Sequence, residues 1–220
     1  MLREASGGLL CPACGARYPR RWGFPDFQIG RGRPLLTLVN ALPPVALGYE
    51  FWRVRSTGIL SRGGLSFGEE LQALTSWLLP TGGPFLDVGT GTGVYLRALG
   101  GGVGVDPSPA FLWVARRRFP QGAYLLARAE ALPFPDGAFS GVAFGPTWNE
   151  LEDPEAAARE AFRVLRRGGR LFALLLLGEG RGGMLYRPSL EGFLGLLRGA
   201  GFRAFGTRVG RIGLVRGEVV

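Results

Sequence analysis

The chain has 220 residues, 46% of them hydrophobic, which suffices for one α/β domain and a short extension. Its 26 basic residues are all arginine and outnumber 17 acidic ones, giving a net charge of +9, and histidine is absent. The absence of histidine excludes Ser-His-Asp and Cys-His catalysis, His-ligated metals and a histidine base, so chemistry must use carboxylates, hydroxyls, backbone dipoles or a cofactor.

The composition also predicts where the protein works. No apolar run approaches the roughly 18 residues that span a bilayer, and Met1–Gly8 contains no signal-peptide core, so we expect a cytoplasmic protein without membrane insertion. Arginine-only basicity with few Asn, Gln, Met and Cys is typical of thermophile proteins, although a GC-rich genome produces the same bias. The positive charge would attract nucleic acid, but the arginines are scattered, which favours an ordinary solvated surface.

Residues 1–30 contain the only cysteines, Cys11 and Cys14, in a Cys-Pro-Ala-Cys-Gly sequence. This sequence resembles one knuckle of a zinc ribbon, and Gly23–Phe27 resembles the segment that follows a second knuckle. Zinc normally takes four ligands, and one chain supplies only two here, so we assign no metal site to a single chain. Three interpretations remain open: a vestigial metal-free knuckle, a zinc shared between two chains, and a disulfide.

Residues 31–80 mix apolar and aromatic side chains with breaks such as Pro43–Pro44. We interpret them as a helical cap or lid whose segment Tyr49–Trp52 would close a binding site, although these aromatics fit ordinary packing equally well. Residues 81–220 alternate short apolar strands with helical stretches, which is the pattern of a Rossmann-like, doubly wound α/β sheet.

The predicted elements of this domain follow in chain order. Strands are expected at residues 84–88, 103–106, 123–127, 141–144 and 170–177, helices at 94–99, 109–118, 154–165 and 189–198, and a closing hairpin at 202–209 and 212–220. Asp153 and Pro154 supply the N-cap and first residue of one helix, which we expect to end at Gly168–Gly169. The strand at 170–177 is almost wholly apolar, as expected for burial on both faces.

A glycine loop, Asp87-Val-Gly-Thr-Gly-Thr-Gly93, joins the first of these strands to its helix. Glycines permit a tight turn and close approach to a ligand, and the helix N-terminus presents unpaired N–H groups. Val94 occupies the position that would complete G-x-G-x-x-G, so a dinucleotide fingerprint is imperfect. Asp87 would repel a pyrophosphate and suits a cationic ligand, whereas Asp106, ending the next strand, can accept from both hydroxyls of a ribose. Alternatively, both carboxylates only cap loops.

Five segments, in this order and spacing, resemble the class I S-adenosylmethionine (SAM)-dependent methyltransferases of the ubiquinone/menaquinone biosynthesis group. They are 85–93, 104–108, 129–136, 151–157 and 163–171. The resemblance implies a seven-stranded, mostly parallel sheet with a C-terminal antiparallel hairpin, and SAM lying across the carboxyl ends of the strands.

The same resemblance implies roles for particular residues. Asp87 would lie near the amino-acid moiety of SAM and Asp106 at its ribose. The other residues expected at the cofactor are Gly89, Thr90, Gly91, Gly93, Pro107, Ser108, Ala129, Glu130 and Gly145. Three places depart from the family pattern, one of them Ser140, which stands where the family has an Asp in the fourth strand. Arg128 replaces an Asp, so the adenine contact is missing or supplied by Glu130, and Trp148–Glu150 replaces Leu-His-His, which makes the acceptor site unfamiliar.

The sulfonium of SAM already activates the methyl group, so the protein must mainly position the reactants and exclude water. The loop Gly145–Glu150 is expected to face that methyl group. Glu150 is the first candidate general base and Tyr49 the second, against the alternative that Glu150 only caps or solvates.

We therefore expect a SAM-dependent methyltransferase with an unidentified, small-molecule acceptor. A ribosomal RNA methyltransferase is the first alternative, since the chain is basic and begins with a ribbon-like segment. Against it, Gly145–Trp148 lacks the Asn/Asp-Pro-Pro-aromatic motif of amino-methylating nucleic-acid enzymes. A SAM-binding protein without catalysis is the second alternative. The sequence leaves open both a nucleic-acid partner and a homodimer.

Overall fold

A computed structural model describes residues 3–12, 14–28, 43–178, 180–182 and 185–220. Its centre is a seven-stranded sheet. The strands of this sheet are β5 (Phe85–Val88), β6 (Val103–Asp106), β7 (Ala123–Leu126), β8 (Phe139–Phe144), β9 (Leu165–Leu176), β12 (Arg203–Val209) and β13 (Ile212–Glu218). Their spatial order is β12-β13-β9-β8-β5-β6-β7. The five strands from β9 to β7 run parallel, and the β12–β13 hairpin pairs antiparallel to β9, which confirms the predicted fold class.

Helices cover both faces of this sheet. They are α1 (Pro43–Leu60), α2 (Phe67–Leu78), α3 (Val94–Leu99), α4 (Pro109–Arg118), α5 (Pro154–Val164) and α6 (Leu190–Gly199). Successive side chains of a strand point to opposite faces. Accordingly, Leu171, Ala173 and Leu175 pack on the face of α5 and α6, whereas Phe172 and Leu174 pack on the face of α2 and α3. In the described ranges, no helix combines the length and apolarity needed to cross a membrane.

Of the predicted cap, the structure describes α1 and α2, while residues 31–42 lie outside the described residues. Glu50 of α1 accepts hydrogen bonds from Arg97 of α3 at 2.7 Å and from Thr92 at 3.3 Å, and it pairs with Arg118 of α4. Ala46 of α1 is fully buried against the apolar side of α4. These contacts hold α1 beside the glycine loop.

The boundary between α5 and β9 corrects one prediction. The helix ends at Val164 rather than at Gly168–Gly169, and β9 begins at Leu165 instead of Arg170. Leu165 pairs with Phe139, and the register then shifts before Arg170 pairs with Gly141. The strand starts early because its far edge is also satisfied: the Gly168 N–H donates to the Val219 carbonyl at 2.8 Å.

Two small β elements had no sequence prediction. The first is an N-terminal meander of four strands, β1 (Arg3–Ala5), β2 (Gly8–Leu10), β3 (Arg17–Arg21) and β4 (Phe24–Pro25), paired in that order. The second is the hairpin β10 (Gly180–Gly182) and β11 (Leu185–Arg187). In the described part of the meander, Cys11 and Cys14 are not joined by a disulfide.

Candidate functional site

The carboxyl ends of β5, β6, β7 and β8 border one cleft, as expected for the ligand edge of an open α/β sheet. This main cleft spans about 870 Å³, a volume that includes the open solvent at its mouth. An inner recess of about 330 Å³ shares Tyr49, Gly89 and Gly91 with it as lining residues. The predicted site residues divide between the two spaces.

The glycine loop has the conformation that its sequence predicts. Gly89 and Gly91 have φ values of 66° and 52°, in the left-handed region that favours glycine. A Cβ on Gly89 would collide with the side chain of Thr147, whereas a Cβ on Gly91 would meet nothing closer than Tyr49 at 3.7 Å. Gly91 therefore keeps cleft space open for a ligand. Gly93 lies behind the loop, as the N-cap of α3, and lines neither space.

Asp106 holds the loop in place from the neighbouring strand. Its two carboxylate oxygens accept hydrogen bonds from the Gly91 N–H at 3.0 Å and the Ser108 N–H at 2.8 Å. Burial raises the pKa of Asp106 to about 6, although these two N–H groups lower it. Each carboxylate oxygen has further lone pairs, so Asp106, Pro107 and Ser108 form a polar wall of the main cleft.

Asp87 lines the inner recess and is 1% exposed. Its Oδ2 accepts a hydrogen bond from the Thr90 hydroxyl at 2.7 Å, but its Oδ1 has no hydrogen-bond partner among the described residues. Burial raises its pKa to about 7; the Thr90 bond opposes this rise, and repulsion from Asp106 adds a smaller increase. A buried carboxylate with an unsatisfied oxygen suits a cationic ligand group such as an ammonium.

Arg53, which lines the recess, belongs to a buried ion pair that sequence reasoning missed. Arg53 of α1 pairs with Glu70 of α2, and its guanidinium donates to the Thr57 hydroxyl at 2.7 Å. The Tyr95 hydroxyl donates to Glu70 at 2.5 Å. The available signal was helical periodicity: Tyr49, Arg53 and Thr57 are spaced four residues apart, which places them on one helix face. This pair joins the two cap helices to the wall of the recess.

The predicted acceptor loop is only partly as expected. Pro146–Glu150 forms a 3-10 turn, in which residues three apart share a face. Thr147 and Glu150 line the main cleft. Trp148, in contrast, is fully buried, and its ring centre lies 4.5 Å from that of Phe144. Its side chain therefore points into the core and away from the main cleft.

Asn149 also faces the core rather than the cleft. Its side chain accepts from the Leu176 N–H at 2.8 Å and donates to the carbonyls of Leu176 and Tyr186 at 2.9 and 2.6 Å. Asn149 thus bonds the turn to β9 and β11. Of the predicted loop, only Thr147 and Glu150 line the main cleft.

Glu150 and Tyr49, the two candidate bases, both line the main cleft. Desolvation by the surrounding cleft walls, followed by repulsion from the Asp106 carboxylate, raises the pKa of Glu150 to about 7. The side chain is nevertheless exposed to the solvent in the cleft. Burial raises the pKa of Tyr49 to about 12, and its ring packs edge-to-face on Phe111 with centroids 5.0 Å apart. At neutral pH, Glu150 can exchange a proton, whereas Tyr49 remains a hydrogen-bond donor.

The remaining predicted residues lie at the outer end of the main cleft. Ala129 and Glu130 line it together with Arg128. Arg128 donates to Glu130 at 3.4 Å and to Glu152 at 2.5 Å, and Glu130 accepts from the Glu152 N–H at 3.2 Å. Arg128 therefore anchors this wall through two carboxylates.

Gln28 also lines the main cleft, although no sequence motif pointed to it. Gly145 and Thr90 line the inner recess. Among the described residues, no group of three or more Cys, Asp or Glu side chains is placed to hold a metal ion.

Comparison with known proteins agrees with this geometry. Residues 86–173 match a family described as a methyltransferase domain. Demethylmenaquinone methyltransferase of Thermus thermophilus is 36% identical over 151 residues, covering 61% of this chain and 69% of that protein. The 2-phytyl-1,4-naphtoquinone methyltransferase of Thermosynechococcus vestitus is 38% identical, covering 48% of this chain and 53% of that protein.

A solved structure shows the same architecture over most of this chain. It is a SAM-dependent methyltransferase of Thermotoga maritima, described as a possible histamine N-methyltransferase. The two are 25% identical, with a TM-score of 0.64, and the match covers 80% of this chain and 96% of that one. With the glycine loop, the two strand-end carboxylates and the seven-stranded sheet in place, this chain belongs to the class I SAM-dependent methyltransferases.

Proposed function

We propose that SAM lies with its adenosine part in the main cleft and its amino-acid part in the inner recess. The supporting observation is the pair of strand-end carboxylates: Asp106 lines the main cleft with its oxygens held by backbone N–H groups, and Asp87 lines the recess and has one buried oxygen without a hydrogen-bond partner among the described residues. Asp106 would accept from the ribose hydroxyls and Asp87 from the ammonium group. Ala129 and Glu130 would border the adenine. When bound, SAM supplies an electrophilic methyl group.

We further propose a small aromatic acceptor of the quinol type. The two curated relatives described above are named for quinone substrates, and Val88, Phe111 and Leu151 give the main cleft an apolar surface on which a flat ring could pack. We also propose, from the composition, that the protein is cytoplasmic and heat-adapted. The same proposal gives α1 and α2 the role of a lid over the site.

In this proposal Glu150 accepts the proton of the acceptor hydroxyl, which leaves an electron-rich ring for methylation at carbon or oxygen. A pKa near 7 suits a base that must take and return a proton at neutral pH. Tyr49, whose pKa is near 12, would donate a hydrogen bond to an acceptor oxygen. Arg53 and Glu70 would keep α1 in position above the reactants.

The test is transfer of a radiolabelled methyl group from SAM to three substrate sets: reduced demethylmenaquinone-type naphthoquinols, fractionated small molecules and bulk RNA. We expect label in the quinol fraction. Glu150→Gln should lower kcat at least tenfold and leave SAM affinity unchanged. The control is Glu155→Gln, since Glu155 is an exposed carboxylate on α5.

Label found in RNA, with salt-dependent and site-selective binding, would replace the small-molecule acceptor with a nucleic acid. SAM binding without transfer to any fraction would support the non-catalytic alternative. Chromatography of the same preparation would also determine whether the protein is a homodimer.

A further inference from the structure

The N-terminal meander is attached to the edge of the central sheet. Just after β4, the Phe27 N–H donates to the Leu126 carbonyl of β7 at 2.8 Å, and Asp26 forms a parallel bridge with Leu126. The chain at 26–27 therefore continues the hydrogen-bonding pattern of the sheet beyond its edge strand. Covering an exposed edge in this way fixes the direction in which the following residue points.

The same segment is also held by an apolar side chain, Phe24, which we call the apolar anchor. Phe24 is 2% exposed and packs with Leu112, Tyr124 and Leu126. The guanidinium of Arg116 lies 4.2 Å from the centre of the Phe24 ring. Both contacts come from α4 and β7, so the meander is held by the two elements that flank the end of β6.

Gln28 lies where this segment reaches the main cleft. Its Nε2 donates to the Pro107 carbonyl at 3.2 Å, and its backbone N–H donates to the Asp26 carboxylate at 3.0 Å. Pro107 directly follows Asp106, and Gln28 lines the cleft together with Asp106, Ser108 and Ala129. An amide side chain has two N–H donors and one carbonyl acceptor, and the bond to Pro107 uses only one of these groups.

We propose that the N-terminal meander is a structural part of the SAM site and that Gln28 contacts the adenosine half of the cofactor. The ligand chemistry follows from position, since Gln28 stands on the wall that carries Asp106 and Ala129, away from Asp87 and the recess. An amide suits the hydroxyls of a ribose or the nitrogens of a purine. The inference rests on the placement of SAM proposed above.

The experiment measures the affinity of two ligands by calorimetry. S-adenosylhomocysteine has both halves of the cofactor, whereas 5′-methylthioadenosine lacks the amino-acid half. Gln28→Ala should weaken both ligands by the same factor, about two- to tenfold for one hydrogen bond, with an unchanged melting temperature of the ligand-free protein. Gln121→Ala, in an exposed turn, is the matched control and should change neither affinity.

Asp87→Asn serves as the opposite reference, because it should weaken S-adenosylhomocysteine and spare 5′-methylthioadenosine. If Gln28→Ala binds both ligands like the parent, or weakens only S-adenosylhomocysteine, the adenosine contact is wrong. Failure of the cofactor placement looks different: in that case Asp106→Ala would also bind both ligands with parental affinity.

A second variant tests the role of the meander itself. Phe24→Ala removes the apolar anchor, and we expect it to lower the melting temperature and to weaken both ligands at temperatures where the protein remains folded. A lower melting temperature with parental affinities would show that the meander only stabilises the fold, and would overturn its assignment to the site.

Discussion

The two sides of the main cleft are built in different ways. The glycine loop is held through its backbone: the N–H groups of Gly89 and Thr90 donate to the Val105 carbonyl at 2.8 and 3.0 Å, and that of Gly91 donates to Asp106. The opposing turn, Pro146–Glu150, is held by side chains, with Trp148 in the core and Asn149 bonded to β9 and β11.

This difference suggests how cofactor and acceptor specificity are separated. A loop whose N–H groups are bonded within the protein keeps one backbone shape for every ligand, and the space beside Gly91 stays open for the cofactor. A turn anchored by Trp148 and Asn149 leaves Thr147 and Glu150 in the cleft, where they can be exchanged without disturbing the anchors. We therefore expect substitutions on the loop side to affect SAM binding and those on the turn side to affect turnover.

Gly91→Val should have the largest effect. It would place a branched side chain in the cleft and force a β-branched residue to a φ of 52°, which costs about 1–2 kcal/mol. We expect affinity for S-adenosylhomocysteine to fall more than about a hundredfold, equivalent to about 2.7 kcal/mol. Gly100→Val is the control, since Gly100 has a φ of 75° and open space around it. If both variants lose affinity equally, strain rather than occupied space is the cause.

Asp106→Ala should rank second. It removes a charged acceptor for the ribose hydroxyls, at roughly 1.5–3 kcal/mol per bond, and also the carboxylate that holds the Gly91 and Ser108 N–H groups. Calorimetry should show a loss of affinity of about ten- to a few hundredfold. On the turn side, Glu150→Gln should bind the ligand like the parent. Parental affinity in Asp106→Ala would contradict the proposed cofactor placement.

The smallest expected effect is the pH dependence due to Asp87. Its pKa of about 7 means that the ionised form, which binds an ammonium, becomes populated only as the pH rises through neutrality. Between pH 6 and pH 8, the parental affinity should therefore rise by no more than about tenfold and then level off. Asp87→Asn should bind more weakly at pH 8 and lose this part of the slope.

The stability of the ligand-free protein should depend on the pH in the opposite direction to the ligand affinity, again because of Asp87. Because the folded pKa of Asp87 is raised, the native state holds the proton more tightly than the unfolded chain does. Its stabilising contribution is complete below the unfolded pKa of about 4 and is lost as the pH rises through about 7. We therefore expect the melting temperature, plotted against pH between these two values, to have different slopes for the parent and for Asp87→Asn. Equal slopes would show that Asp87 keeps an ordinary pKa.

The sequence by itself determined the fold class, the two strand-end carboxylates and, within the central sheet, the succession of strands and helices along the chain. These features depend on local signals: apolar runs define β5, β6 and β9, Ser108 and Pro109 start α4, and glycines permit the loop at 89–93. Because parallel neighbours end at the same sheet edge, Asp87 and Asp106 could be placed beside one cleft from chain order alone.

Only the tertiary structure decided which side chains share that cleft. Gln28 reaches Pro107 across 79 residues of sequence, Arg53 meets Glu70 between two helices, and Trp148 turns into the core. The early start of β9 likewise depends on its pairing with Phe139 rather than on the helix signal before it. Such contacts depend on packing between segments far apart in the chain, and local propensity carries no information about them.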